Sequence, residues 1–456
     1  MPSKLTYAKG LLHLATAYKA KLLCSGIFVS NREAQSLLAE DLAVDSLAPL
    51  RYLNSTIDRD RHTVTVSCFG LGKQTALYRP GLGSTLVLDT TSEELREQSA
   101  AFSTWYQQNS RTDIPLPVAT ALPAEVNEEQ LSEAIAHAFS EPHPKKQQRT
   151  RAVVALYKGE VIAERYAEGF SKATPLLGWS MAKSVVNTLI GILVQQGKLS
   201  LDAKDLLLEW QSPNDPRRHI TLDQLLRMSS GLQFSEEYAN PLSDVTTMLF
   251  RKGDRASYAA QCPLATSPGS SFHYASGTTI LLCRIIREAL GGALTDYLTF
   301  PRRTLFDRLG MASAILEPDA AGIFTGSSFM YATANDWAKL GLLYLQDGCW
   351  LIDGKWERIL PARWVQYSAS SSGTDSCYGA HFWRGVPLSF TAENQNSSEW
   401  PKDAYLASGY QGQFLTIIPS KKLVVVRLGL SQRRNSWDHE QFINQFTRAF
   451  LYRSSK

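Results

Sequence analysis

The chain has 456 residues, 44% hydrophobic and 20% charged, with a formal net charge of +4 and the two signs interspersed. This is ordinary globular composition, long enough for a large core plus an accessory region. With no Lys/Arg block or basic-aromatic stripe there is no reason to propose nucleic acid, and no apolar run reaches the length of a membrane span.

The first segment, to about residue 145, opens with residues 8–29, where Lys9, Lys19 and Lys21 interrupt the apolar pattern. Neither a secretory signal nor a bilayer helix fits it, which leaves the compartment open between cytoplasm and periplasm. It reads as an amphipathic helix over 8–23 that packs on the body of the protein, with peripheral contact to a membrane surface as the alternative. Helical pattern recurs at 32–43. Strand alternation follows at Thr63–Ser67 and Thr75–Tyr78, and Arg79–Ser84 is a turn cluster. A helix over 127–139 leads into Glu141-Pro142-His143-Pro144-Lys145-Lys146, where the boundary of this N-terminal accessory region is placed. Its role is unassigned: it pads the back of a sheet or forms part of a substrate entrance.

Residues 151–157 and 160–166, joined by Lys158-Gly159, carry a hairpin signal. Next comes Gly178-Trp179-Ser180-Met181-Ala182-Lys183-Ser184, continued to about Gln196 with no proline and apolar residues on nearly every side, as in a buried helix. Ser180 stands at its first turn, where unpaired N–H groups and the helix dipole favour negative charge. Lys183, one turn on, brings its amine to the face of the Ser180 hydroxyl, and burial drives a lysine toward the neutral form that can take a proton. Ser-x-x-Lys is a compact nucleophile and base pair; the bland alternative is a serine N-cap.

From about 203 to 345 the pattern is mainly helical, including Leu222–Met228 and Gly277–Glu288, as expected of a helical domain inserted between parts of a sheet. Glu236 and Glu237 beside Tyr238 read as a solvated acidic pair, with a place at the substrate entrance as the alternative. Tyr274 lies on a tight loop, Pro268–Gly277, just before a helix. A phenol there can have its pKa lowered beside an ammonium and relay protons, unless it only fills core. The last third returns to strands, 414–418 and 423–428, and Trp437–Tyr452 closes the chain as a helix. Two hairpins far apart in sequence point to one antiparallel sheet built from both ends, an α+β architecture. Ala407-Ser408-Gly409-Tyr410 enters the first of these strands, with Gly409 placed to let the strand edge approach a substrate.

Six cysteines lack any CxxC spacing, so no metal is expected and no cofactor is implied. Cys262 and Cys283 read as buried thiols, and a Cys24 to Cys68 bridge stays open.

Taken together, Ser180-x-x-Lys183, Tyr274-Ala275-Ser276 and Ala407-Ser408-Gly409 resemble the serine β-lactamase and penicillin-binding-protein superfamily, in its class C-like branch. Within that branch the chain is similar to 6-aminohexanoate-dimer hydrolases and related esterases over about residues 150–452. The resemblance implies a β-lactamase-like domain over 146–456: an antiparallel sheet flanked by helices, with Ser180 as nucleophile, Lys183 as its base and Tyr274 as proton relay. It further implies the amides of Ser180 and Tyr410 as oxyanion donors, with Ser276, Ser408 and Gly409 along the substrate. The expected reaction is hydrolysis of a small ester or linear amide through an acyl-enzyme. D-alanyl peptidase or β-lactamase activity, and a penicillin-binding sensor that does not turn over, are the alternatives. Two departures weigh against penicillins: no cation at 407–409, and Ser276 where an amide would bind substrate.

Overall fold

Lysines inside the first apolar stretch do not end its helix: Lys9 is exposed to solvent, and the fold gives Lys19 and Lys21 partners. In this computed structural model, which describes residues 4–42, 45–109, 113–387, 399–431, 433 and 435–450, a single helix runs over Lys4–Phe28. Lys19 donates to the carbonyls of Leu50 (3.0 Å) and Leu53 (2.6 Å), and Lys21 is buried against Glu317 and Ser25. The helix therefore penetrates the body beyond the 8–23 predicted. Among the described residues no helix is long and apolar enough to cross a membrane.

That helix lies on an antiparallel meander of β1 (Asn54–Asp58), β2 (Thr63–Cys68), β3 (Leu71–Arg79) and β4 (Gly83–Leu86). Val64 and Val66 alternate with half-buried threonines, and this period of two turns one face of the meander onto Ala17, Ala20 and Cys24. The 32–43 region is not a regular helix. It makes one turn, Ala34–Ser36, then a π-helical turn, Leu37–Asp41, because Asp41 is drawn to Arg151 (2.8 Å) and Arg32 (2.7 Å).

The helix Glu128–Ala138 precedes β5 (Thr150–Tyr157) and β6 (Glu160–Tyr166), joined by Lys158 and Gly159, both at positive φ as the two-residue turn requires. Short strands β7 (Leu176–Leu177), β8 (Ile315–Leu316) and β9 (Met330–Ala332) form a second sheet in the order β7-β9-β8, and β10 (Cys349–Ile352) pairs with β11 (Lys355–Arg358). Strands β12 (Tyr405–Gly409), β13 (Gln413–Ile418) and β14 (Leu423–Gly429) complete a five-stranded antiparallel sheet, β12-β13-β14-β5-β6. The β14–β5 pairing closes the two ends of the chain on each other, as the separated hairpins predict.

Both faces of this sheet are covered, which is why β5 is buried at every position. Val153, Ala155 and Val425 face the helices Glu128–Ala138 and His439–Arg448, while Val154, Leu156 and Val426 face the main core with the helices Ala182–Gln195 and Ala334–Leu345. The closing helix was expected to reach 452; positions 451 and 452 lie outside the described residues. The inserted region is a set of short helices, among them Asp244–Arg251, Arg255–Ala260 and Ser276–Ala289, interleaved with β8 and β9. Cys24 and Cys68 are not bridged; all six cysteines are free thiols, with Cys262 and Cys283 buried.

Candidate active site

Ser180 lies on a tight 3-10 turn, Trp179–Met181, that runs into the helix Ala182–Gln195. Trp179 has φ +49, a left-handed conformation that costs a bulky residue about 1–3 kcal/mol and persists only where its surroundings impose it. Those surroundings are aromatic. Tyr18 stacks on the indole at 6.5 Å, Phe329 packs at 6.0 Å and Tyr410 meets it edge-on at 5.5 Å. The indole N–H donates to Gln411 (3.0 Å). Gly178 lies flat on Trp337, where a Cβ would come within 2.3 Å of the ring.

One helical turn from Ser180, the Lys183 ammonium donates to Ser180 Oγ (3.1 Å), Ser276 Oγ (3.3 Å) and the Ser327 carbonyl (2.9 Å). The side chain is buried. Desolvation pulls its pKa down to about 8, against the raising influence of Glu236. Lysine deprotonation is thus brought near neutral pH. Deeper in the same helix, Ser184 donates to the His381 carbonyl (2.6 Å) and Asn187 to that of Ala380 (2.9 Å), so its remaining polar groups are structural. His381 itself is held by Leu226 and Thr279, and burial pushes its pKa to about 3, leaving it neutral.

Tyr274 converges on the pair: its ring lies 4.8 Å from the Lys183 nitrogen, and its hydroxyl interacts with that of Ser180. The lowered phenol pKa expected from the sequence does not occur. Burial dominates and raises it above the usual range, and only the Ser180 contact works the other way. At this position the phenol is held as a proton donor.

Ser276 opens the helix Ser276–Ala289 and is buried, so it faces Lys183 rather than a substrate. Its hydroxyl donates to Glu236 Oε1 (2.5 Å) and its amide to Glu236 Oε2 (2.8 Å). The carboxylate caps the helix where the dipole favours an anion. Reading Glu236 as half of a solvated pair is corrected here: Glu237 is exposed, but Glu236 is half-buried and also accepts from Tyr238 (3.1 Å).

Gly409 ends β12, and its bare backbone approaches the chain itself rather than a ligand: a Cβ would lie 2.1 Å from the Gly178 carbonyl oxygen. This contact seats the end of β12 against the turn that carries Ser180. Ser408 is buried in the ladder opposite Phe414. Tyr410, 45% exposed, faces Tyr238 with rings parallel at 6.4 Å. On the other side Tyr274 packs against Trp383 (5.4 Å) and Tyr378 (6.0 Å), which carry Phe272. Apolar walls therefore border the site on both sides. Tyr378 and Trp383 carried no local signal in the sequence, nor did Tyr18, whose partner lies more than 150 residues away.

The beta-lactamase family model matches residues 131–443. A 6-aminohexanoate-dimer hydrolase of Paenarthrobacter ureafaciens is 25% identical over 299 residues, covering 61% of this chain and 72% of that protein. A candidate 6-aminohexanoate-dimer hydrolase from Bacillus anthracis has the same fold with a TM-score of 0.55 at 20% identity, over 80% of this chain and 95% of its own. A family VIII carboxylesterase gives a TM-score of 0.52 at 14% identity, over 73% and 98%. With more than half of its length matched, the chain belongs to the beta-lactamase family.

Proposed function

We propose that this protein is a serine hydrolase that cleaves esters or linear amides through an acyl-enzyme on Ser180. The observation that carries the reading is the buried Lys183 amine, 3.1 Å from the Ser180 hydroxyl with its pKa near 8. A neutral amine takes the serine proton as the oxygen attacks the substrate carbonyl. The resulting oxyanion is assigned to the backbone amides of Ser180 and Tyr410. Tyr274 gives its proton to the departing amine or alcohol and is reprotonated by the adjacent Lys183 ammonium, which leaves the amine neutral again. That amine then takes a proton from the water that attacks the acyl-enzyme and returns it to the Ser180 oxygen as the acid leaves. No metal or cofactor enters this scheme.

Two features favour acyclic substrates over penicillins. The segment 407–409 supplies no cation for a drug carboxylate, and the Ser276 side chain is committed to Lys183 and Glu236. The names of the relatives, a linear-amide hydrolase and a carboxylesterase, fit the same class. The test is Ser180→Ala assayed with a p-nitrophenyl ester, beside a screen of short esters, aminohexanoate oligomers, D-amino-acid amides and nitrocefin. Turnover should vanish in a variant that keeps its melting temperature; full activity in that variant would refute the assignment.

A further inference from the structure

Six of the large apolar side chains left in solvent gather at one end of the N-terminal region. Leu5, Tyr7 and Leu11 stand on the first turns of the helix Lys4–Phe28; Phe69 and Leu71 sit at the β2–β3 turn; Tyr52 lies two residues before β1. Their exposures, 64% for Leu5, 87% for Phe69 and 67% for Leu71 and Tyr52, are far above what a core-facing residue shows.

The fold brings these three segments to one place. Gly72 lies against Leu12, where a Cβ would meet Leu12 Cγ at 2.8 Å, and Gln74 reaches His13 (3.4 Å). Residues 5–11 of the helix therefore run about 10 Å past Gly72, alongside the hairpin tip. The pairs Cys68↔Leu71 and Asn54↔Ser67 bring the start of β1 to the same end.

Two observations bear on what this tip is suited to meet. Phe69 and Gly70 form a two-residue turn with φ +47 and +81, a geometry that favours Asn-Gly and strains a bulky residue. A phenylalanine is held there at a conformational cost and buries almost nothing within the chain. The second is charge. Residues 4–12, 49–54 and 66–75 carry Lys4, Lys9, Arg51 and Lys73, all exposed, and no acidic side chain. Arg51 lies over the Tyr52 ring at 4.8 Å, a cation held on an aromatic face.

We propose that this end of the molecule docks on an anionic lipid bilayer, with Phe69, Leu71 and the first turns of the helix entering the interface and the four cations meeting lipid phosphates. Protruding apolar tips ringed by cations suit a fluid, negatively charged surface. A second copy on a twofold axis would oppose like charges instead. The inference is independent of the reaction assigned to Ser180. The loop from Glu236 to Leu242 joins the two places, since Leu242 packs on Gly10. Docking through this tip would accordingly hold the site close to the lipid surface.

The test is flotation of the full-length protein with phosphatidylcholine vesicles, with and without phosphatidylglycerol. Binding should require phosphatidylglycerol, weaken at high salt, and fall roughly tenfold or more in F69S/L71S. Esterase activity on a soluble substrate serves as the folding control and should be unchanged in that variant. Absence of binding to phosphatidylglycerol vesicles would overturn the proposal, as would binding that F69S/L71S leaves intact. Concentration-dependent dimerisation in solution that F69S/L71S abolishes would overturn it too, and assign the tip to a second copy.

Discussion

Lys183 and Glu236 are joined through one hydroxyl: Ser276 Oγ accepts from the lysine at 3.3 Å and donates to the carboxylate at 2.5 Å. With Lys183 as the proposed base, only its neutral form takes the Ser180 proton, so kcat/KM should climb about tenfold per pH unit up to a break near the Lys183 pKa of about 8, then level off. A pH profile with a p-nitrophenyl ester measures the break. Lys183→Arg, whose guanidinium keeps its proton, should lose acylation altogether.

The sign of the Glu236 effect follows from its charge. Its negative charge stabilises the ammonium and raises the lysine pKa, so Glu236→Gln should lower that pKa and move the acid limb of the profile to lower pH. An unmoved limb would remove Glu236 from any role in setting the charge of Lys183.

Tyr274→Phe keeps the ring beside Lys183 and deletes the proton donor. Amides, whose leaving amine must be protonated, should lose about a hundredfold or more in kcat, while p-nitrophenyl esters, whose leaving group departs as the stable p-nitrophenolate anion, should lose much less. Comparing the two substrate types in one variant checks this; equal losses would assign Tyr274 another task.

At Gly409, alanine would place a methyl group 2.1 Å from the Gly178 carbonyl, and backbone must move to admit it. The end of β12 would then shift away from the turn that carries Ser180. The expected outcome is a fall of at least about tenfold in kcat with a lowered melting temperature, read by steady-state kinetics and calorimetry.

Much of this was legible in the sequence, for local reasons. Lys158-Gly159 fixes its hairpin through the turn alone, and Ser180 and Lys183 share a helix face because three residues make nearly one turn. What was not legible depends on long-range burial. The phenol of Tyr274 follows its desolvation rather than the nearby ammonium, and Glu236 owes its role to a helix that starts 40 residues later. Gly409 was recognised as a close approach, but the surface it approaches is Gly178, which no local pattern could name.

Lys21 and Glu317 form a buried ion pair, both nearly inaccessible to solvent, reinforced by Ser25 (2.8 Å) and the Ser84 amide (2.7 Å). Lys21→Met leaves a carboxylate without its cation and should cost about 3–5 kcal/mol, whereas adding Glu317→Leu should restore much of it. Urea denaturation of the two single variants and the double variant closes the cycle; additive losses would show that the charges do not depend on each other.

That pairing also joins two parts of the chain that are synthesised far apart in time. Glu317 is 296 residues further along than the lysine it needs, so during synthesis the first helix emerges long before its carboxylate exists. Until then Lys21 has no carboxylate to pair with, and the Ser84 amide at the start of β4 lacks the acceptor it has in the finished fold. Such a contact, spanning 296 of the chain's 456 residues, ties the stability of the N-terminal helix to a segment made much later.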